Sequence, residues 1–121
     1  YYGVGRSGGT PKDGCVSRWV RDTIQLLERV ADGKTVLVGA AVGSWVMLRV
    51  AMERPDLVSA IVGLSPDADF TEELLMAQLS DEQKKKIMDE GLATITWGNT
   101  DYVVSRNLIE DGKKNLVLQG G

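Results

Sequence analysis

The stretch TVLVGAAVGSW, residues 35–45, decides the fold of this chain. Residues 34–38 form a short, unbroken run rich in β-branched side chains, which is typical of a strand buried on both faces. Residues 39–43 predict a tight turn made of small residues. Residues 44–53 predict a helix that must end near Arg54, because Pro55 follows. The segment therefore predicts a strand, a sharp turn and a helix.

The residues around this stretch predict an α/β fold. Residues 57–64 predict a second buried strand, so that strand, helix and strand form a parallel βαβ unit with a right-handed crossover. An amphipathic helix precedes it at 15–31 and stops at Gly33. Parallel strands need cover on both faces, and two or three strands are too few for that. We therefore expect residues 1–121 to be a single domain that is an excerpt of a larger sheet, whose unpaired strand edges could support a homo-oligomer.

The second half predicts a small helical segment, which we place at 66–112. Thr71 is expected to cap one helix, and Ser80 with Gln83 has the spacing of a capping box at the start of another that runs to Gly91. Residues 92–97 predict a short strand, residues 102–111 a helix, and residues 116–118 a strand fragment.

Composition excludes several function classes. The chain has 121 residues, a net charge of −3 and no basic stripe, so we expect neither nucleic acid nor an anionic membrane surface as a partner. It contains no histidine, which removes the commonest general base and metal ligand. No metal or cofactor is predicted. The single cysteine, Cys15, excludes an intrachain disulfide, and no apolar run approaches the roughly 18 residues of a membrane span.

The turn at 39–43 has the context that a nucleophile elbow, G-x-S-x-G, requires. In such an elbow the nucleophile lies at a strained turn between a strand and a helix, and the backbone N–H of the next residue points at an oxyanion. In this chain Gly39 and Gly43 frame the turn, Ala41 occupies the nucleophile position, and Val42 supplies the N–H. A glycine pair alone is weak evidence, because close packing of a strand on a helix would also explain it.

Further motifs strengthen the match. The loop 2–9 resembles the pattern D-Y-x-G-x-G-x-S-x-G, and Trp19 with Asp22 matches W-x-x-D in the following helix. The elbow helix, its exit and the next strand are matched by Trp45, residues 55–58 and residues 61–64, and FTEELL at 70–75 resembles the start of a small lid. The chain thus resembles the central portion of the α/β-hydrolase superfamily of serine hydrolases. Within it, the match is to the branch of mitochondrial acyl-protein thioesterases and acyl-glucuronide esterases.

This resemblance implies an eight-stranded, mostly parallel sheet and ester or thioester cleavage by serine, aspartate and histidine. The chain departs from that pattern at its nucleophile, which is Ala41, and it has no histidine. Family strands that carry the acid and base would lie beyond residue 121, and early strands would lie before Tyr1. We therefore predict that the chain is catalytically inactive as written.

Two alternatives to an inactive hydrolase stay open. The Val42 N–H and the helix N-terminus could form a cradle for an acyl ester or carboxylate in a non-catalytic binding module. The chain could instead be a structural fragment completed by an oligomer.

Further candidate residues lie outside the turn, and each has a structural as well as a functional interpretation. Ser44, Ser65, Asp67 and Asp69 are expected to serve helix and loop structure, because an acid without a base activates nothing. An acyl pocket, or alternatively plain apolar packing, is predicted for residues Gly3, Trp45, Met76, Trp97 and Tyr102.

Overall fold

The first half of the chain forms the predicted parallel βαβ unit. A computed structural model describes residues 1–119, and in it strand β1 and strand β2 pair in parallel with Gly39 opposite Gly63. The unbroken apolar runs and the proline after the helix thus gave the correct α/β class. The elements are α1 (Val16–Val30), β1 (Thr35–Ala41), α2 (Val42–Glu53) and β2 (Val58–Pro66).

The larger core lies where α1 and α2 pack together against one face of this sheet. Trp45 is its centre, with 0% of its surface exposed and its indole Nε1–H donating to the carbonyl oxygen of Asn115 at 2.9 Å. A buried tryptophan contributes a large apolar area, provided that its N–H finds an acceptor. The buried members of this core are Val16, Trp19, Val20, Leu27, Trp45, Val46 and Val50.

The opposite face of the two-stranded sheet is open to solvent. Val36 and Val38 on β1 are 54% and 64% exposed, and Leu64 on β2 is 56% exposed. Side chains alternate between the two faces of a strand, so the intervening Leu37 packs against the core. Within residues 1–119, helices therefore cover one face of this two-stranded sheet and leave the other face open. This agrees with the expectation that two strands are too few for a parallel sheet covered on both faces.

The second half forms a smaller unit with its own core. Its buried residues come from helices and a hairpin, and Phe70 packs against both this core and the larger one. None of the helices within residues 1–119 is both long and apolar enough to cross a bilayer. The elements are a π-helical turn (Thr71–Leu75), α3 (Met76–Gln78), α4 (Asp81–Glu90), β3 (Leu92–Trp97), β4 (Thr100–Ser105) and α5 (Arg106–Lys113).

The prediction of a helix at 102–111 was wrong in its first half. Residues Thr100–Ser105 form β4, which pairs antiparallel with β3. Gly98 has a φ of 63° and, with Asn99, makes the two-residue connection of a tight hairpin. The helix begins only at Arg106, where the Ser105 hydroxyl accepts a hydrogen bond from the Leu108 N–H at 3.0 Å.

The prediction of a strand at 116–118 was also wrong. The N–H groups of Val117 and Leu118 do not pair with a strand, because both donate to the carboxylate of Asp69 at 2.8 Å. Asp69 is fully buried, and its φ of 56° turns the chain after β2. This one side chain therefore anchors the end of the described chain to the loop after β2.

Thr71 does not cap a helix as predicted. It is the first residue of the π-helical turn, it is fully buried, and its hydroxyl has no hydrogen-bond partner among the described residues. The carbonyl oxygen of Asp69 instead accepts from the N–H groups of Glu72 and Glu73, at 3.0 and 2.9 Å. The Asp69 carbonyl oxygen thus accepts hydrogen bonds at the start of this turn, where the Thr71 side chain was expected to do so.

The capping box at Ser80 is confirmed and can be tested. The Ser80 hydroxyl accepts from the Gln83 N–H at 3.2 Å, and the Gln83 side chain accepts from the Ser80 N–H at 2.9 Å. We expect Ser80→Ala to lower the free energy of unfolding by about 1 kcal/mol, because it leaves a helix N–H without its acceptor. Chemical denaturation measures this, with Ser59→Ala on the exposed side of β2 as control. Equal losses in both variants would contradict the capping role.

Candidate active-site turn and its cavity

The turn between β1 and α2 has the backbone strain of a nucleophile elbow. Strand β1 ends at Ala41 and α2 begins at Val42, so no residue separates the two elements. Ala41 has φ 50° and ψ −123°, a conformation that costs a residue with a Cβ about 1–3 kcal/mol. Its side chain is exposed at the top of the turn. The residue at this apex therefore projects its side chain away from the sheet.

Small residues make this turn possible. A Cβ on Gly39 would lie 2.8 Å from the carbonyl carbon of Gly43 and 2.7 Å from the methyl group of Met47, so the strand could not approach the helix as closely. The Ser44 hydroxyl donates to the Gly39 carbonyl oxygen at 2.9 Å and is almost fully buried. Ser44 is thus a bracing residue of the turn.

Ala41 and Val42 face a cavity of about 520 Å³. The Val42 N–H is one of the first four amides of α2, which have no acceptor within the helix. Gly39 and Gly43 were predicted as binding residues, but neither lines the cavity, and their contribution is to bring strand and helix together. The turn therefore contributes Ala41 and the first residue of α2 to the cavity wall.

The cavity is strongly aromatic. Its volume is in the range of sites for small organic ligands, and its walls come from the N-terminal loop, the turn and the second half of the chain. Each tyrosine, two of the three tryptophans and the one phenylalanine line it. The aromatic lining residues are Tyr1, Tyr2, Trp19, Phe70, Trp97 and Tyr102.

The sequence placed some pocket residues here and missed others. Gly3, Trp97 and Tyr102 line the cavity, whereas Trp45 and Met76 do not. Trp45 belongs to the larger core, and Met76 packs against the smaller one. The missed members include Phe70, Leu74, Val103 and Leu108, because their neighbours in space are far away in sequence.

Few charges face the cavity. Asp67 is the one carboxylate among its described lining residues, which include no lysine or arginine. The Asp67 N–H donates to the Ala41 carbonyl oxygen at 3.3 Å, which places Asp67 beside the apex of the turn. Asp69 and Ser65, considered from the sequence as possible catalytic groups, do not line the cavity. Burial raises the pKa of the Tyr1 phenol, which carries no charge at pH 7.

A parallel βαβ unit whose strand turns directly into a helix through a strained, positive-φ residue is the centre of the α/β-hydrolase fold. The chain belongs to the α/β-hydrolase superfamily and holds a central portion of its fold, as its sequence motifs predicted. Among curated proteins it is similar to human mitochondrial palmitoyl-protein thioesterase ABHD10, with 36% identity over 121 residues. The mouse protein of the same name is 39% identical over 69 residues, which cover 57% of this chain and 23% of that protein. No protein-family model matches the chain.

Two solved structures share the fold. A presumptive hydrolase from Agrobacterium vitis S4 superposes with a TM-score of 0.89 at 30% identity, and mouse alpha/beta hydrolase domain-containing protein 10 with 0.78 at 28%. Each match covers 99% of this chain and 49% of the other. The match to the human relative covers 98% of this chain and 39% of that protein, so the chain spans about two fifths of its length.

The strain at Ala41 predicts the sign of a stability change. Ala41→Gly should raise the free energy of unfolding by about 1 kcal/mol, because glycine adopts a positive φ without steric cost while losing more entropy on folding. Ala40→Gly is the matched control, since Ala40 lies within β1 in ordinary strand backbone and should lose stability. Urea denaturation compares the two variants. A loss of stability in both would show that Ala41 is not strained.

Cys15 provides a pH-dependent prediction. Burial raises the pKa of its thiol, and the neighbouring Asp111 carboxylate adds to the rise. A raised pKa leaves less thiolate at any given pH, and the thiolate is the reactive form. Iodoacetamide should therefore alkylate Cys15 in the folded chain more slowly at pH 8 than in the urea-unfolded chain. In the folded chain, the alkylation rate should still increase with pH above the usual range of thiol pKa values. A folded chain that reacts faster than the unfolded one would contradict this.

Proposed function

We propose that this chain is an ester or thioester hydrolase fold from which nucleophilic serine chemistry has been lost. The observation that supports this is Ala41, which holds the strained, exposed apex of the elbow and faces the cavity. A methyl group has no lone pair with which to attack a carbonyl carbon. The backbone of the elbow is therefore intact, while its nucleophile is absent.

Neither of the two serines considered near the turn, Ser44 and Ser65, replaces the missing hydroxyl. Ser44 is buried and bonded to Gly39, and Ser65 does not line the cavity. The 121 residues contain no histidine to take a proton from a nucleophile. Members of a catalytic triad act as a unit, so losing nucleophile and base together costs about the same ~10⁶-fold in rate as losing either one.

The apolar cavity and the backbone of the turn favour binding of an acyl group. The cavity is apolar and Val42 lines it, so we assign the Val42 N–H, which has no acceptor within the helix, as the donor for a carbonyl oxygen. The curated relatives are named palmitoyl-protein thioesterases, which supports a long-chain acyl ester or thioester as the ligand class. Phe70, Trp97 and Tyr102 come from the segment 66–112, to which we assign the role of a lid over that acyl group.

A carboxylate is the second candidate ligand, as expected for a binding module built on the elbow. Val42 favours it, because helix N-termini attract anions. Asp67 opposes it, because a like charge beside the turn would repel a carboxylate. We therefore rank neutral acyl esters above free carboxylates.

Ester hydrolysis tests the loss of function. The 121-residue chain should hydrolyse p-nitrophenyl butyrate no faster than buffer, because the apex carries no nucleophile. Two variants control the assay: Gly39→Val, which would disrupt the elbow, and Gly8→Ala, which meets no atom within 4 Å. Turnover that Gly39→Val abolishes and Gly8→Ala retains would overturn the proposal, since it would require an active elbow. Intact-mass spectrometry after treatment with a fluorophosphonate should likewise show no adduct.

A further inference from the structure

The cavity has aromatic walls and one carboxylate, Asp67, among its described lining residues. Both features favour a positively charged ligand. Aromatic ring faces carry negative partial charge and attract cations, most strongly those that shed water easily. Trp97 and Tyr102 are 37% and 53% exposed, so their surfaces are accessible to a ligand. Phe70 lies against Trp97, with ring centroids 5.9 Å apart, and extends the same wall.

The carboxylate of Asp67 has no charge partner among the described residues. It makes no ion pair and no side-chain hydrogen bond there, although it lines the cavity beside the Ala41 carbonyl. The ion pairs in the described part of the chain involve Arg49, Arg54 and Arg106, and none of these faces the cavity. A carboxylate in a largely apolar cavity is stabilised by a bound cation.

Arg18 contacts one aromatic residue of the cavity but does not serve as that cation. The Arg18 guanidinium lies 3.3 Å from the centroid of the Tyr2 ring, but Arg18 itself is not a lining residue. Gly9 also lies against the Tyr2 ring, where a Cβ would clash with the ring atoms. Tyr2 is therefore already packed against Arg18 and Gly9, whereas Trp97 and Tyr102 keep exposed surface for a ligand.

We propose that this cavity binds a small alkylated ammonium group, with Asp67 as its counter-ion and Trp97 and Tyr102 as its aromatic wall. Such a group is bulky, apolar at its surface and positively charged, which matches both features of the cavity. A primary ammonium matches less well, because it is strongly hydrated and the lining is mostly apolar. The proposal goes beyond the acyl-binding function above and does not depend on the missing nucleophile.

Three probes of equal shape test the charge preference: choline, its neutral carbon isostere 3,3-dimethylbutan-1-ol, and the anion 3,3-dimethylbutanoate. Isothermal titration of the 121-residue chain should give choline the tightest binding, about tenfold tighter than the neutral alcohol. The carboxylate should bind most weakly because it faces Asp67. Equal affinity for choline and the alcohol, tighter binding of the carboxylate, or no saturable binding of choline would each overturn the proposal.

Two variants and one control variant assign the effect to its residues. Asp67→Asn should weaken choline binding about tenfold and leave the alcohol unchanged, whereas Asp32→Asn, at an exposed position outside the cavity, should change neither. Trp97→Leu should weaken choline more than the alcohol, because it removes the ring and keeps an apolar surface. Unchanged choline binding in Asp67→Asn would refute its role as counter-ion. Failure here leaves the esterase assay unaffected, so the two proposals can fail separately.

Discussion

The rest of the structure depends on the close approach of Gly39 to the backbone of Gly43. With no Cβ at Gly39, strand β1 runs directly against the first turn of α2, and the chain must reverse within a single residue. That reversal goes with the positive φ of Ala41, leaves its side chain exposed and brings Ala41 and Val42 to the cavity wall. Asp67 follows the end of β2, and its N–H donates to the Ala41 carbonyl oxygen. The same turn therefore positions Asp67 beside the cavity.

A polar network holds the second half of the chain against this turn. The Asn115 carbonyl oxygen accepts from Trp45 in the larger core, while its side chain donates to the Ser17 hydroxyl at the start of α1. Asp69 binds two backbone N–H groups just beyond it. Asn115 and Asp69 are buried, and buried polar groups stabilise a fold only when they are paired. The network therefore fixes the loop after β2, which carries Asp67 and Phe70, to the last described residues of the chain.

The sequence was most informative where the signal is local. The apolar runs around Gly39–Gly43 and the spacing of Ser80 and Gln83 depend on neighbours in the chain, and both were predicted correctly. Strand β4 was not predicted, because residues 102–111 were assigned to a helix. Gly98 followed by Asn99 is nevertheless typical of the turn in a hairpin. The placement of Trp45 and the charge environment of Asp67 follow from contacts between distant segments. No periodicity within one segment reports these, so the chemical character of the cavity emerged only in three dimensions.

The strained apex also bears on how such a protein can change over evolutionary time. The conformation of Ala41 is imposed by glycines and packing on either side of it, so it persists although no hydroxyl benefits from it. Serine and alanine differ by one oxygen atom, and the backbone already presents that position to the cavity. The backbone at this position therefore keeps the conformation of a nucleophile elbow with a methyl group as its side chain. A serine at position 41 would meet a main chain that already holds that conformation.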